Sequence, residues 1–139
     1  MGEQEIHRLL SDSALLQGVR SSEIRHLVQS GEIVTWPHGE VVVREDVEAF
    51  AFYIVLAGQA RAVIDGEAVR TMNPGDFFGE IGLRAHGDRT ASVIAEGTLQ
   101  ALVLRRVHFD ALLQANPQIA ARIDAVVKQR TDADAEHSD

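Results

Sequence analysis

The chain has no cysteine among its 139 residues, which excludes disulfides and thiolate chemistry and leaves its redox compartment open. Positive charge is scarce as well: 13 Lys and Arg stand against 21 Asp and Glu, a net charge of −8. That deficit argues against a nucleic-acid partner, which needs clustered cations to neutralise phosphates, yet it leaves room for one local cationic pocket. No stretch approaches the roughly 18 apolar residues of a membrane span, so no membrane partner is expected. The first residues, Met1 to Ile6, carry neither a basic start nor an apolar signal segment, and cytoplasmic localisation is expected. Ile6 also stands where a myristoylation motif wants serine or threonine. The six histidines are scattered. His38, His86 and His108 offer no H-x-H unit, so no metal centre of the small-barrel type is expected, and His86 reads as solvent-exposed. There is no constellation of nucleophile, base and orienting group, so the chain is not read as an enzyme and no catalytic residue or cofactor is assigned.

What is present fits one domain with a single continuous core. Residues 3–31 carry a helical period, with Ile6, Leu9 and Leu10 on one face, Ile24, Leu27 and Val28 on another, and Gly31 as a stop. Between the two helices, S-D-S-A-L-L-Q-G reads as a turn. From residue 33 to 105 the period is two, in short runs at 41–43, 52–56, 60–64, 69–72, 91–95 and 99–104. Asp65-Gly66 suits a tight hairpin, and Asn73-Pro74-Gly75-Asp76 a type II turn. A small antiparallel barrel is the expected result. The helical period returns over 107–130, where Asn116-Pro117 separates two helices and Ile119, Ile123, Val126 and Val127 share a face. The domain is therefore placed at 1–130, and the polar, acidic 131–139 is expected to be a disordered tail.

One stretch carries chemistry. Residues 76–93 read D-F-F-G-E-I-G-L-R-A-H-G-D-R-T-A-S-V, with Glu80 and Arg89 nine residues apart. Gly79 permits close backbone approach to a ligand, and a helical turn over 80–83 would offer free amide hydrogens to an anion. Arg89 places two parallel donors on two phosphate oxygens, which a lysine cannot do. Glu80 is acceptor-only when ionised and suits a ribose hydroxyl, provided it faces the sugar and not the phosphate.

This stretch resembles the phosphate-binding cassette of cyclic nucleotide-binding domains, with the pattern F-G-E-[IL]-[AG]-L-L, a short loop, and R-[ST]-A. It is matched by Phe78, Gly79, Glu80, Ile81, Gly82 and Leu83, then Arg89, Thr90 and Ala91. The resemblance implies an α+β, mainly β fold: an antiparallel β-roll of jelly-roll type flanked by N-terminal helices and by C-terminal B and C helices. It implies that Glu80 accepts from the ribose 2′-hydroxyl, that Arg89 holds the cyclic phosphate, that Gly79, Ile81, Gly82 and Leu83 line it with backbone, and that Thr90 brings a hydroxyl near phosphate or base. Gly39, Gly58 and Gly75 match glycines at the family's β-roll corners.

Several positions depart from the pattern. Asp46 stands where the family prefers glycine, Phe50 where it prefers a polar residue, and Arg84 replaces the second leucine. Asp88 competes for Arg89 and repels phosphate, which implies a weakened affinity. No aromatic follows Phe109, so Ile123, Val126 and Val127 are the candidate aliphatic lid. The function implied is a sensor for a cyclic nucleotide, with cyclic AMP favoured over cyclic GMP, that couples binding to movement of the C-terminal helices and to a protein effector or a second copy of the chain. The alternative is a nucleotide-independent interaction scaffold with a degenerate pocket.

Overall fold

The computed structural model describes residues 1–43, 51–80 and 91–135. Two helices open the chain, α1 (Glu3–Asp12) and α2 (Ser21–Ser30). Among the described residues six strands follow: β1 (Glu32–Trp36), β2 (Val41–Val43), β3 (Ala51–Ile64), β4 (Glu67–Met72), β5 (Phe77–Phe78) and β6 (Ser92–Arg105). Helices α3 (Arg106–Ala115) and α4 (Pro117–Ala135) complete it. Among the described residues the strands form one antiparallel sheet of order β1-β6-β3-β4, with β2 on β6 and β5 on β3. It curls into a roll without closing, so the expected fold class is observed and a sealed barrel is not. No described helix is long and apolar enough to cross a membrane.

The two longest strands join runs that the sequence separates. Residues 52–56 and 60–64 belong to one strand, β3, and 92–95 and 99–104 lie along β6. The cause is visible at Gly58. The β3–β6 register shifts between Val55 and Ala57 and again between Ala57 and Gln59, so the strand bulges and continues. Gly58 has φ +73°, and a Cβ there would lie 2.2 Å from the Thr98 carbonyl oxygen. The glycine marks a close crossing of two strands, not the end of one. The other turns match their residues: Asp65 and Gly66 both have positive φ, as a two-residue type I′ hairpin requires. The Asp76 amide donates to the Asn73 carbonyl at 2.8 Å, with Gly75 at φ +94°.

Alternation along β3, inverted by the bulges between Val55 and Gln59, splits the interior in two. Phe52, Ile54 and Leu56 face the helices, where they meet Phe77, Leu102, Leu104, Phe109, Ile119 and Ile123. Val55, Ala60, Ala62 and Ile64 face the inside of the roll, with Val43, Met72, Phe78, Ala91, Val93 and Leu99. The segment read as a plain turn after α1 contributes Leu15 and Leu16 to the helical core. Ser13 closes α1 by donating to the Leu10 carbonyl at 2.6 Å.

The C-terminal region departs from expectation in extent. Helix α4 runs through Ala135, and Asp134 is buried, so residues 131–135 are helical and not a disordered tail; 136–139 lie outside the described residues. The reason is tertiary: this end of the helix is held by ion pairs to the roll. Pro117 opens α4 as its first residue, and Asn116 uses its side-chain amide to donate to the Leu112 carbonyl at 3.1 Å, closing α3.

Candidate functional site

The pair Phe77-Phe78 forms β5 between the two cores. Alternation sends Phe77 to the helical side, 5.5 Å from Phe52, and Phe78 into the roll, stacked on Tyr53 at 4.6 Å. With both rings anchored, the chain turns sharply at Gly79, whose φ of +92° is one that side chains rarely adopt. That turn delivers Glu80 to a buried position, its side chain only 1% exposed.

A lone carboxylate so placed would be costly. Here it receives a partner from the far end of the chain. The guanidinium of Arg130 on α4 pairs with Glu80, donates from the same nitrogen to the Phe77 carbonyl at 2.8 Å, and lies 5.1 Å over the Phe77 ring. Burial pushes the Glu80 carboxyl above the usual carboxylate range; Arg130, a backbone hydrogen bond and the field of Arg70 oppose that shift without cancelling it.

One turn further along α4, Asp134 makes a second pair. Arg70 on β4 reaches it through both terminal nitrogens, at 2.7 and 3.0 Å, the bidentate geometry that gives arginine–carboxylate pairs their direction. Arg70 is opposite Ala62, a residue of the roll's inner core, in the β3–β4 register. Arg130 and Asp134 are four residues apart on one helix face, so a single surface of α4 covers both charges of the roll.

The structure thus brings Phe78, Gly79 and Glu80 together at the end of β5, with Ala91 buried in the same inner core as Phe78. Ile81, Gly82, Leu83, Arg89 and Thr90 lie outside the described residues, as do Asp46, Phe50, Arg84, His86 and Asp88. The candidate lid residues lie along the helical core. Ile123 is fully buried in the helical core, and Val126 and Val127 pack against that same core. It is Arg130 that reaches the cassette, with the Asp134–Arg70 pair one turn beyond it, and sequence reasoning missed all three. The signal was their spacing: Ile123, Val127, Arg130 and Asp134 continue one stripe along α4. Among the described residues no group of three metal-ligating side chains is assembled, and His38 instead accepts from the Gly97 amide at 2.8 Å.

Comparison with known proteins agrees with the geometry. Residues 33–116 match the family model for the cyclic nucleotide-binding domain. A cAMP-dependent protein kinase regulatory subunit of Emericella nidulans is 31% identical over 106 residues, which cover 75% of this chain and 26% of that protein. The chain therefore spans about a quarter of that relative's length. A structure described as Sp-2Cl-cAMPS bound to PKAR CBD2 superposes with a TM-score of 0.82 at 26% identity, covering 94% of this chain and 87% of the other. The catabolite activator protein of Thermus thermophilus gives a TM-score of 0.75 at 27% identity, covering 89% and 61%.

Proposed function

This chain belongs to the cyclic nucleotide-binding domain family, and on that premise we propose that it is a regulatory module that binds cyclic AMP and reports binding through α4. In this reading Glu80 accepts from the ribose hydroxyl, Arg89 holds the cyclic phosphate, and the amides and small residues around Gly79 allow the phosphate close to the backbone. Thr90 and Ala91 complete the wall. Cyclic AMP is favoured because the kinase subunit and the PKAR structure similar to this chain carry it, or an analogue of it, in their descriptions. The output is a changed surface on the C-terminal helices, read by an effector protein or by a second copy of the chain.

The observation that carries the reading is the direct ion pair between the cassette glutamate and α4. A sensor needs ligand and output to act on one equilibrium, and a ligand that binds both helix positions equally shifts nothing. With Glu80 and α4 in contact, whatever engages Glu80 acts on the helix.

The test is calorimetric titration of the chain with cyclic AMP and, separately, cyclic GMP, repeated with Arg89→Ala. We expect saturable binding, tighter for cyclic AMP, and a loss of about 2–5 kcal/mol in the variant, because a desolvated charge partner is removed. Folded protein that binds neither nucleotide would favour the scaffold reading instead.

A further inference from the structure

We propose that the outer face of the roll is a self-association surface, on which Arg61 and Glu96 of one copy of the chain pair with the partner's Glu96 and the partner's Arg61. This goes beyond the nucleotide reading and does not depend on it.

Arg61 stands on β3 between Ala60 and Ala62, whose side chains fill the inside of the roll, so alternation sends Arg61 outward. It is half-buried, and among the described residues its Nε has no hydrogen-bond partner and its guanidinium no ion pair. In a chain with 21 Asp and Glu, a buried donor left so calls for an acceptor from outside. Glu96 on β6 is the matching anion. It follows Ala95, another inner-core residue, so it shares the outer face, and it is half-buried too. Ile94 lies opposite Arg61 and Gln59 opposite Glu96, which makes the two charges diagonal neighbours. No ion pair joins them.

The surface around these charges is apolar. Val41, Ile94, Arg61 and Thr71 form one row across β2, β6, β3 and β4, and Val63 and Ala68 stand opposite each other in the next. Val41, Val63 and Ile94 are half-buried and belong to neither hydrophobic cluster. Apolar side chains around a central arginine are the composition of an interface core. The charges select the occupant. A cation beside an anion is self-complementary, because a two-fold axis midway between them lays each over its opposite in a second copy and makes two ion pairs at once. Four strands about 4.8 Å apart and about five residues long give a face of roughly 300 Å² in plan on each copy, well short of the roughly 800 Å² per partner of a standard interface. With a net charge of −8 on each copy as well, the association is weak and concentration-dependent.

The test is sedimentation velocity of the full chain from about 10 µM to 1 mM. It compares the native sequence, Arg61→Glu, Glu96→Arg and an equimolar mixture of the two variants. We expect the native chain to self-associate and each variant alone to do so about 10-fold or more weakly, since like charges then face one another twice. The mixture should recover association, because the two acids of Arg61→Glu meet the two cations of Glu96→Arg. A contact within one chain gives no such recovery. A native chain that stays monomeric throughout, variants that associate as the native chain does, or a mixture that recovers nothing would each overturn the proposal. Thermal denaturation establishes that each variant is folded. Should a reversal not fold, Arg61→Gln and Glu96→Gln must each weaken association, and unchanged association in either overturns it. Nucleotide enters none of these outcomes, so they leave the proposed function untouched.

Discussion

Removing the Arg130 guanidinium with Arg130→Ala is the sharpest test of the pair at the end of α4. The substitution takes away the donor to Glu80, the donor to the Phe77 carbonyl and the cation over the Phe77 ring at once. Breaking a buried pair from one side typically costs about 3–5 kcal/mol, because the remaining charge keeps its desolvation penalty. Glu80 has an escape: it can take up a proton, at about 1.4 kcal/mol for each pH unit between the solution and its folded pKa. Burial already holds that pKa above the ordinary range, and loss of Arg130 raises it further, so protonation caps the damage. At pH 7 we expect about 2–4 kcal/mol of lost stability, which for a chain this size lowers the melting temperature on the order of 10 °C.

Urea denaturation of the native chain, Arg130→Ala, Glu80→Gln and the double variant completes a cycle. A neutral glutamine is cheaper to bury without a cation than a carboxylate, so the double variant should be more stable than Arg130→Ala alone, with a coupling of about 1.5 kcal/mol or more. An arginine variant within about 0.5 kcal/mol of the native chain would refute the reasoning, being the change expected of a surface substitution. So would a double variant that recovers nothing.

Three further outcomes follow from the same geometry. The raised Glu80 pKa means the folded chain holds that proton more tightly than the unfolded one, whose ordinary value is 4.5. Glu80's contribution is therefore most favourable below pH 4.5 and declines as pH climbs through the folded value, so the stability of the native chain relative to Glu80→Gln should fall across that window and level off above it. Urea midpoints between about pH 4 and 8 measure it, and a difference that grows with pH would contradict the burial assigned to Glu80. Gly58→Ala should cost about 2–4 kcal/mol in denaturation, since its Cβ meets the Thr98 carbonyl, whereas Gly66→Ala, with open space around it, should lose only about 1 kcal/mol from its left-handed backbone. Equal costs at the two glycines would remove the strand crossing as the explanation. Phe52→Ala should cost about 3–5 kcal/mol by thermal or urea denaturation, because Phe52 is fully buried and touches both Phe77 and Phe109; a loss below about 1 kcal/mol would count against the helical core as drawn.

Much of the fold is legible in the sequence because its periodicities are local. Alternation along β3 and β6, the Asp65-Gly66 hairpin and the Asn116-Pro117 break each follow from a few neighbouring residues. The boundary error at Gly58 has a local cause too. A glycine between two apolar runs reads as a turn, and only the partner strand reveals that it marks a crossing where no Cβ fits. Leu15 and Leu16 illustrate a related failure, since residues in a turn are read as exposed unless something long-range covers them.

The cassette was legible in part and its cover was not, for a reason of chemistry. Glu80 and its glycine neighbour form a compact motif, so type and spacing identify them together. Arg130 and Asp134 lie 50 and 64 residues from their partners. Along the helix they read as an exposed arginine–aspartate pair at i, i+4, in the less favourable order for the helix dipole, and so as the start of a polar tail. What distinguishes them is that they fall on the stripe begun by Ile119 and Ile123. An apolar stripe that turns charged without leaving its face implies charges of opposite sign waiting on the surface it covers. The roll supplies them in Glu80 and Arg70, so the end of α4 is ordered by charges that only the folded roll places beneath it.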